Sequence, residues 1–183
     1  MRLFFMMVLI GSAIAGNASA DDAKLDGKKL KVEVAKAKVT INGQAVAIPG
    51  ELAAFEKAFG KPSGTIKDPV SDTNKYIYWK DLGIWCSQST KGKQQVQELQ
   101  INLDPAYDLS AKAQAKPFPG QLTIEGVAIG TTTPKADMKK LKLGREAFGS
   151  WQIDYEESPL QVVVNPSEKG TKSVTILQPL IAR

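Results

Sequence analysis

The chain has 183 residues with 24 Lys and Arg against 19 Asp and Glu, one Cys and no His. The missing histidine excludes Ser-His and Cys-His nucleophile pairs and the usual zinc ligand sets. The net charge of +5 comes from scattered lysines, which form a solvated surface mildly favouring acidic partners; nucleic acid, which favours Arg forks and basic blocks, is not an expected partner.

Residues 1–20, "MRLFFMMVLIGSAIAGNASA", start basic at Arg2, run apolar from Leu3 to about Ile14 and end in Ala18-Ser19-Ala20. That order predicts a cleaved secretory signal, because the apolar run is too short to cross a bilayer. The mature chain is expected to begin at Asp21 and to work outside the cytoplasm, most simply in a bacterial periplasm. With no Cys near the cleavage site, no lipid anchor is expected. Residues 21–37 form a lead-in whose Leu30, Val32 and Val34 suggest an edge strand.

"KVTINGQAVAI" (38–48) alternates around Asn42-Gly43, the strongest short hairpin signal. Leu52, Phe55 and Phe59 then recur at helical spacing, and Gly60 and Pro62 stop the helix. The segment 63–74 is polar and reads as a loop. Strands follow near 75–79, 82–88 and 95–103, the last alternating Leu99, Ile101 and Leu103 against Gln100 and Asn102. A Pro- and Ala-rich linker occupies 105–120.

The remainder, 121–183, repeats this order. "VTINGQAVAI" (39–48) resembles "LTIEGVAIGT" (122–131), and "FGKP" (59–62) aligns with "LGRE" (143–146). "KYIYWKDLGIWCS" (75–87) aligns with "WQIDYEESPLQVV" (151–163), and "LQI" (99–101) with "VTI" (174–176). Thr133-Pro134 caps a second helix running to about Leu143, and strands near 151–155, 160–164 and 172–178 complete the copy. Units of this size are too large for a short solenoid repeat. The expected fold is α+β: two tandem ββαβββ units over 38–104 and 121–183, each an antiparallel sheet packed by one helix.

The stretch "NKYIYWKDLGIWCSQS" (74–89) holds two Tyr, two Trp and the cysteine. Period two puts Ile77 and Trp79 on one face and Tyr76 and Tyr78 on the other. The second copy keeps the first set apolar, with Ile153 and Tyr155, and makes the other polar, with Gln152 and Asp154. After the turn, Ile84 and Cys86 match Leu160 and Val162, while Trp85 matches Gln161. Trp79, Ile84 and Cys86 therefore read as core; Cys86 is a buried thiol or a thiol for an intermolecular bridge. Tyr76, Tyr78 and Trp85 read as the outer sheet face. Three roles stay open for them: a protein interface, packing beneath the linker or the second copy, or a small-ligand site. Lys80 and Asp81 at the following turn, and the acidic Asp154 and Glu156, complete the expected interface. Asp81 is also a natural turn former.

Carboxylate chemistry survives the loss of histidine. Asp104 with Asp108, and Asp154 with Glu156, are the available pairs, but spacing of two along a strand is what any solvent face offers. No Ser-x-x-Lys, phosphate loop, dinucleotide fingerprint or calcium loop is present. No cofactor, no metal and no catalytic residue are expected.

The helix, "FGKPS", a variable loop, "YIYWKDLGIW" and "GKQQVQELQINL" together resemble the unit of the β-lactamase-inhibitor-protein and small outer-membrane-assembly lipoprotein superfamily. There a helix ending in a Gly-x-Pro turn precedes an antiparallel meander whose first strand carries a Trp. The resemblance covers about 55 residues of the first copy and extends to secreted domains of bacterial competition and immunity. It implies a non-enzymatic immunity protein or inhibitor that occludes a secreted or periplasmic effector enzyme. A periplasmic scaffold or envelope-assembly factor is the alternative it implies.

Overall fold

The structure, a computed structural model, describes residues 25–104, 113–134, 141, 144–147, 149–167 and 170–178. The expected signal, Asp108 and most of the expected second helix (135–140 and 142–143) lie outside the described residues.

β1 (Lys31–Ala35) alternates exposed Lys31 and Glu33 with buried Val32 and Val34, as period two requires. It is not the edge strand expected of the lead-in. β2 (Lys38–Ile41) pairs with it antiparallel on one side, and β8 (Gln121–Ile124) pairs parallel on the other. With β3 (Gln44–Val46) and β9 (Val127–Ile129) these make a five-stranded sheet in the order β3-β2-β1-β8-β9. The lead-in thus bridges two short hairpins, neither of which is stable alone.

Both hairpins turn through two residues of positive φ: Asn42 and Gly43 at 51° and 78°, Glu125 and Gly126 at 47° and 78°. The β1–β2 turn uses Lys36 and Ala37 at 49° and 59°, where neither residue is at ease. Lys36 is exposed, so Lys36→Asn is expected to raise stability by roughly 0.5–1 kcal/mol, read as a higher urea midpoint with unchanged slope.

α1 (Leu52–Phe59) buries Phe55 and Phe59, and Gly60 caps it with its N–H on the Glu56 carbonyl. Gly60 then accepts a 2.7 Å hydrogen bond from Trp79 Nε1, and the Phe59 ring meets the Trp79 ring edge-on at 5.3 Å. The helix stop and the strand Trp form one joint.

The polar segment after Pro62 is not wholly loop: Gly64–Lys67 forms β4. β5 (Asn74–Trp79), β6 (Ile84–Ser89) and β7 (Val96–Asn102) continue the meander. In the second half, β10 (Gly144–Ala147), β11 (Ser150–Asp154), β12 (Gln161–Ser167) and β13 (Gly170–Leu177) follow. The halves do not keep separate sheets. β7 pairs antiparallel with β13, Leu99 opposite Ile176 and Ile101 opposite Val174, giving one eight-stranded sheet, β10-β11-β12-β13-β7-β6-β5-β4. Pairing the two last strands removes two open edges that separate sheets would expose.

One inner core spans both sheets and α1. It includes Val32, Val34, Ile41 and Ile124 from the small sheet and Ile77, Ile84, Leu99, Ile101, Val162 and Ile176 from the large one. The result is a mostly β, two-sheet α+β fold with one α-helix among the described residues.

Candidate functional site

The inner-face residues of the aromatic stretch are core: Ile77, Trp79, Ile84 and Cys86 are buried. Burial pushes the Cys86 thiol well above its ordinary value, and the nearby Glu98 adds to this. A thiol held protonated is neither nucleophile nor ready metal ligand.

Tyr76 and Tyr78 point to the opposite face and are partly exposed, as expected. Trp85 shares that face and stands outside the inner core, but it is only 1% exposed. Its ring lies against Tyr78 at 5.0 Å and 31°, with Gln100 directly opposite on β7. It cannot be an accessible anchor. Tyr78 in turn covers the bare backbone of Gly64, its cross-strand partner, where a Cβ would lie 2.5 Å from the phenol oxygen. A larger residue at 64 would push Tyr78 off the sheet.

Of the other expected interface residues, Asp154 and Glu156 do not join these tyrosines in one patch. Lys80 and Asp81 are exposed at the turn leaving β5, and Asp81 pairs with Lys116 at 2.8 Å. Asp81 and Lys116 line an open cleft of about 330 Å³ whose wall includes Leu25, Leu82 and Pro119. Asp154 sits on β11, paired to Arg145 at 3.2 Å and bonded by Gln161. Five strand spacings separate β11 from β5, so Asp154 is roughly 24 Å from Tyr78 across the sheet. Glu156 is not on the strand with Asp154; it lies in the exposed turn after β11.

Between the two ends, the outer face is polar and closed. Gln100, Asn102, Ser173 and Thr175 are all buried. Trp85 Nε1, Gln100 Nε2 and both Asn102 amide atoms have no hydrogen-bond partner among the described residues. The Asn102 backbone is satisfied, donating to Gly83 and accepting from Phe118. Gly83 is required there: its φ is +60°, and a Cβ would lie 2.5 Å from the Lys116 carbonyl. In sequence, Gln100 and Asn102 are indistinguishable from ordinary solvent-side residues, because alternation fixes a face and not its cover.

Glu98 and Asp68 were also missed, since 30 residues separate them and only the meander brings them close. Burial, with Asp68 second, holds the Glu98 carboxyl above its ordinary value. Asp68 is buried too, accepting from the Val70 and Ser71 backbone N–H groups at 2.9 and 3.3 Å. The folded chain therefore holds the Glu98 proton more tightly than the unfolded chain. The stability that Glu98 contributes falls as pH rises from 4.5 through the raised folded value, and changes no further above it. Glu98→Gln is expected to raise the urea midpoint at pH 7 and to leave it unchanged well below pH 4.5.

Glu125 Oε1 accepts from Lys36 N at 2.8 Å and from Tyr155 Oη at 2.7 Å, joining the β1–β2 and β8–β9 turns of the small sheet to the residue that follows β11. Burial first, then this bond, raises the Tyr155 phenol. Among the described residues no group of three or more His, Cys, Asp or Glu side chains converges as a metal site would. Asp104 uses its backbone N–H to bond the Lys172 carbonyl.

A family described as Domain of unknown function (DUF7738) matches residues 31–139, and the chain belongs to that family. The matched span starts at β1 and runs past β9, so it takes the whole five-stranded sheet together with β4–β7. No curated protein and no solved structure matches the chain.

Proposed function

For this member of the DUF7738 family, we propose a secreted binding protein that occludes an effector or envelope-degrading enzyme in the periplasm, acting as an immunity protein or inhibitor. The observation that carries this is the β4–β5 end of the large sheet, where Tyr76 and Tyr78 remain partly exposed on a face backed by a continuous core. A rigid sheet holding aromatic side chains with few rotatable bonds suits a steric plug, which needs complementarity and no chemistry. Trp85 acts beneath Tyr78 as its support. The turn at Lys80 and Asp81 extends the same strand, whereas Asp154 and Glu156 would meet only a partner wide enough to span the sheet.

We also infer that the chain is a tandem duplication. In each half a two-residue positive-φ hairpin precedes a four-stranded meander. Ile77 faces Cys86, which faces Leu99; Ile153 faces Val162, which faces Ile176. On this inference Leu99 corresponds to Ile176, two residues from the Val174 that the sequence alignment suggests, and inner face still matches inner face. The superfamily resemblance of the first half is consistent with this order.

The test is biological. The stoichiometric partner of the mature chain, sent alone to the periplasm, is expected to stop growth, and co-secretion of this chain is expected to restore it. Recovery of outer-membrane assembly proteins without toxicity would favour the scaffold role.

A further inference from the structure

We infer that the β4–β5 loop carries the anchor of the interface, inserting Val70 into an apolar pocket with an acidic rim on the partner protein. The inference rests on the binding role proposed above and names what the partner must offer. Val70 is 93% exposed, the barest of the large apolar side chains among the described residues. A single exposed apolar residue is ordinary on a floppy loop, but this loop is built. The Asp68 side chain bonds the Val70 and Ser71 N–H groups from a buried position. Ser71 Oγ bonds both the Thr73 hydroxyl, at 2.8 Å, and the Thr73 N–H, at 3.2 Å. Thr90 N–H, in the β6–β7 loop, holds the Thr73 carbonyl at 2.7 Å, and Pro69 fixes its own φ.

The two backbone N–H bonds offset the burial of the Asp68 side chain, so the loop keeps one shape in the free protein. A loop fixed before association loses little entropy on binding, which is how a small contact becomes a strong one. The loop also leaves the exposed end of the sheet, closing above the Lys67–Lys75 pair, one step beyond the pairing of Ile66 with Tyr76. The charge around the tip sets the partner's chemistry. Lys67, Lys75, Lys91 and Lys93 lie on the two linked loops and their flanking strands, with Asp72 the exposed acid, paired to Lys67 at 2.6 Å. The excess of lysine calls for carboxylates around the pocket. One valine inserts too little apolar surface to hold a membrane, so a protein pocket is the occupant.

The test places a photoreactive phenylalanine analogue at position 70 in the secreted full-length chain, with Ala128, exposed on β9, as the control position. Adducts at 70 are expected on the same protein that the unmodified chain retains, at residues lining a cavity with Asp or Glu at its mouth. Val70→Ala is expected to weaken that complex about tenfold and Val70→Asp about a hundredfold or more, while Ala128→Asp changes nothing. An unchanged urea midpoint for each variant shows that the loss is not unfolding. If Val70→Asp binds within threefold of wild type while Tyr76→Ala/Tyr78→Ala does not bind, the loop inference falls and the sheet-face interface stands. Adducts to lipid would assign the loop to a membrane surface and overturn the inference. If the unmodified chain retains no protein, both proposals fail together.

Discussion

Trp85→Ala is expected to lower stability by about 3–5 kcal/mol, whereas Tyr76→Ala leaves the fold within about 1 kcal/mol of wild type. Both residues lie on the outer face of the large sheet, but Trp85 is 1% exposed and Tyr76 is only partly covered. Trp85→Phe separates the causes further. The Trp85 indole N–H has no partner among the described residues, so losing it removes an unsatisfied group along with some packing. Trp79→Phe instead breaks the bond to the Gly60 carbonyl that joins strand to helix. Trp79→Phe is therefore expected to cost about 1–2 kcal/mol more than Trp85→Phe in urea unfolding. Equal costs would mean that the outer face has a partner for the Trp85 nitrogen.

Leu99→Ala carries the second large effect, a loss of about 2–5 kcal/mol. Leu99 is fully buried on β7, between Cys86 of β6 and Ile176 of β13, where the two halves of the sheet meet. The cavity would therefore loosen both halves at once. With Trp79 reporting on the first half in one single-Trp variant and Trp151 on the second in another, Leu99→Ala is expected to lower both midpoints by the same amount, each coinciding with that variant's own far-UV circular dichroism midpoint. A shift confined to the Trp79 variant, with the Trp151 midpoint unmoved by Leu99→Ala, would show independent domains and contradict the shared sheet.

The local code was legible wherever one residue pattern decides an element. Phe55 and Phe59 before Gly60 mark α1, Asn42-Gly43 marks the β2–β3 hairpin, and the alternation of Tyr76 to Trp79 assigns the correct faces. What was not legible depends on distant partners. β1 reads as an edge strand because nothing in Val32 or Val34 announces a parallel neighbour 90 residues on. β4 is hidden in a polar run, and its Gly64 makes sense only beneath the Tyr78 ring. The joining of β7 to β13 leaves no mark, since any strand with one apolar face can pair at its edge. Gln161 standing where the first half has Trp85 suggested exposure, but burial of a shared position follows what covers it in each half. The Val70 loop is held by Asp68 and Ser71, a turn pattern visible in the sequence whose exposed tip is not.

The most direct measurement is a parallel affinity capture with residues 21–183 of wild type and of Tyr76→Ala/Tyr78→Ala, from the envelope and secreted proteins of the producing cell, read by mass spectrometry. One stoichiometric protein is expected on the wild-type chain and is expected to be lost from the double variant, which stays folded with a urea midpoint lowered by the lost Tyr78–Trp85 contact. Equal retention of that protein by the folded double variant would place the interface elsewhere and contradict the account.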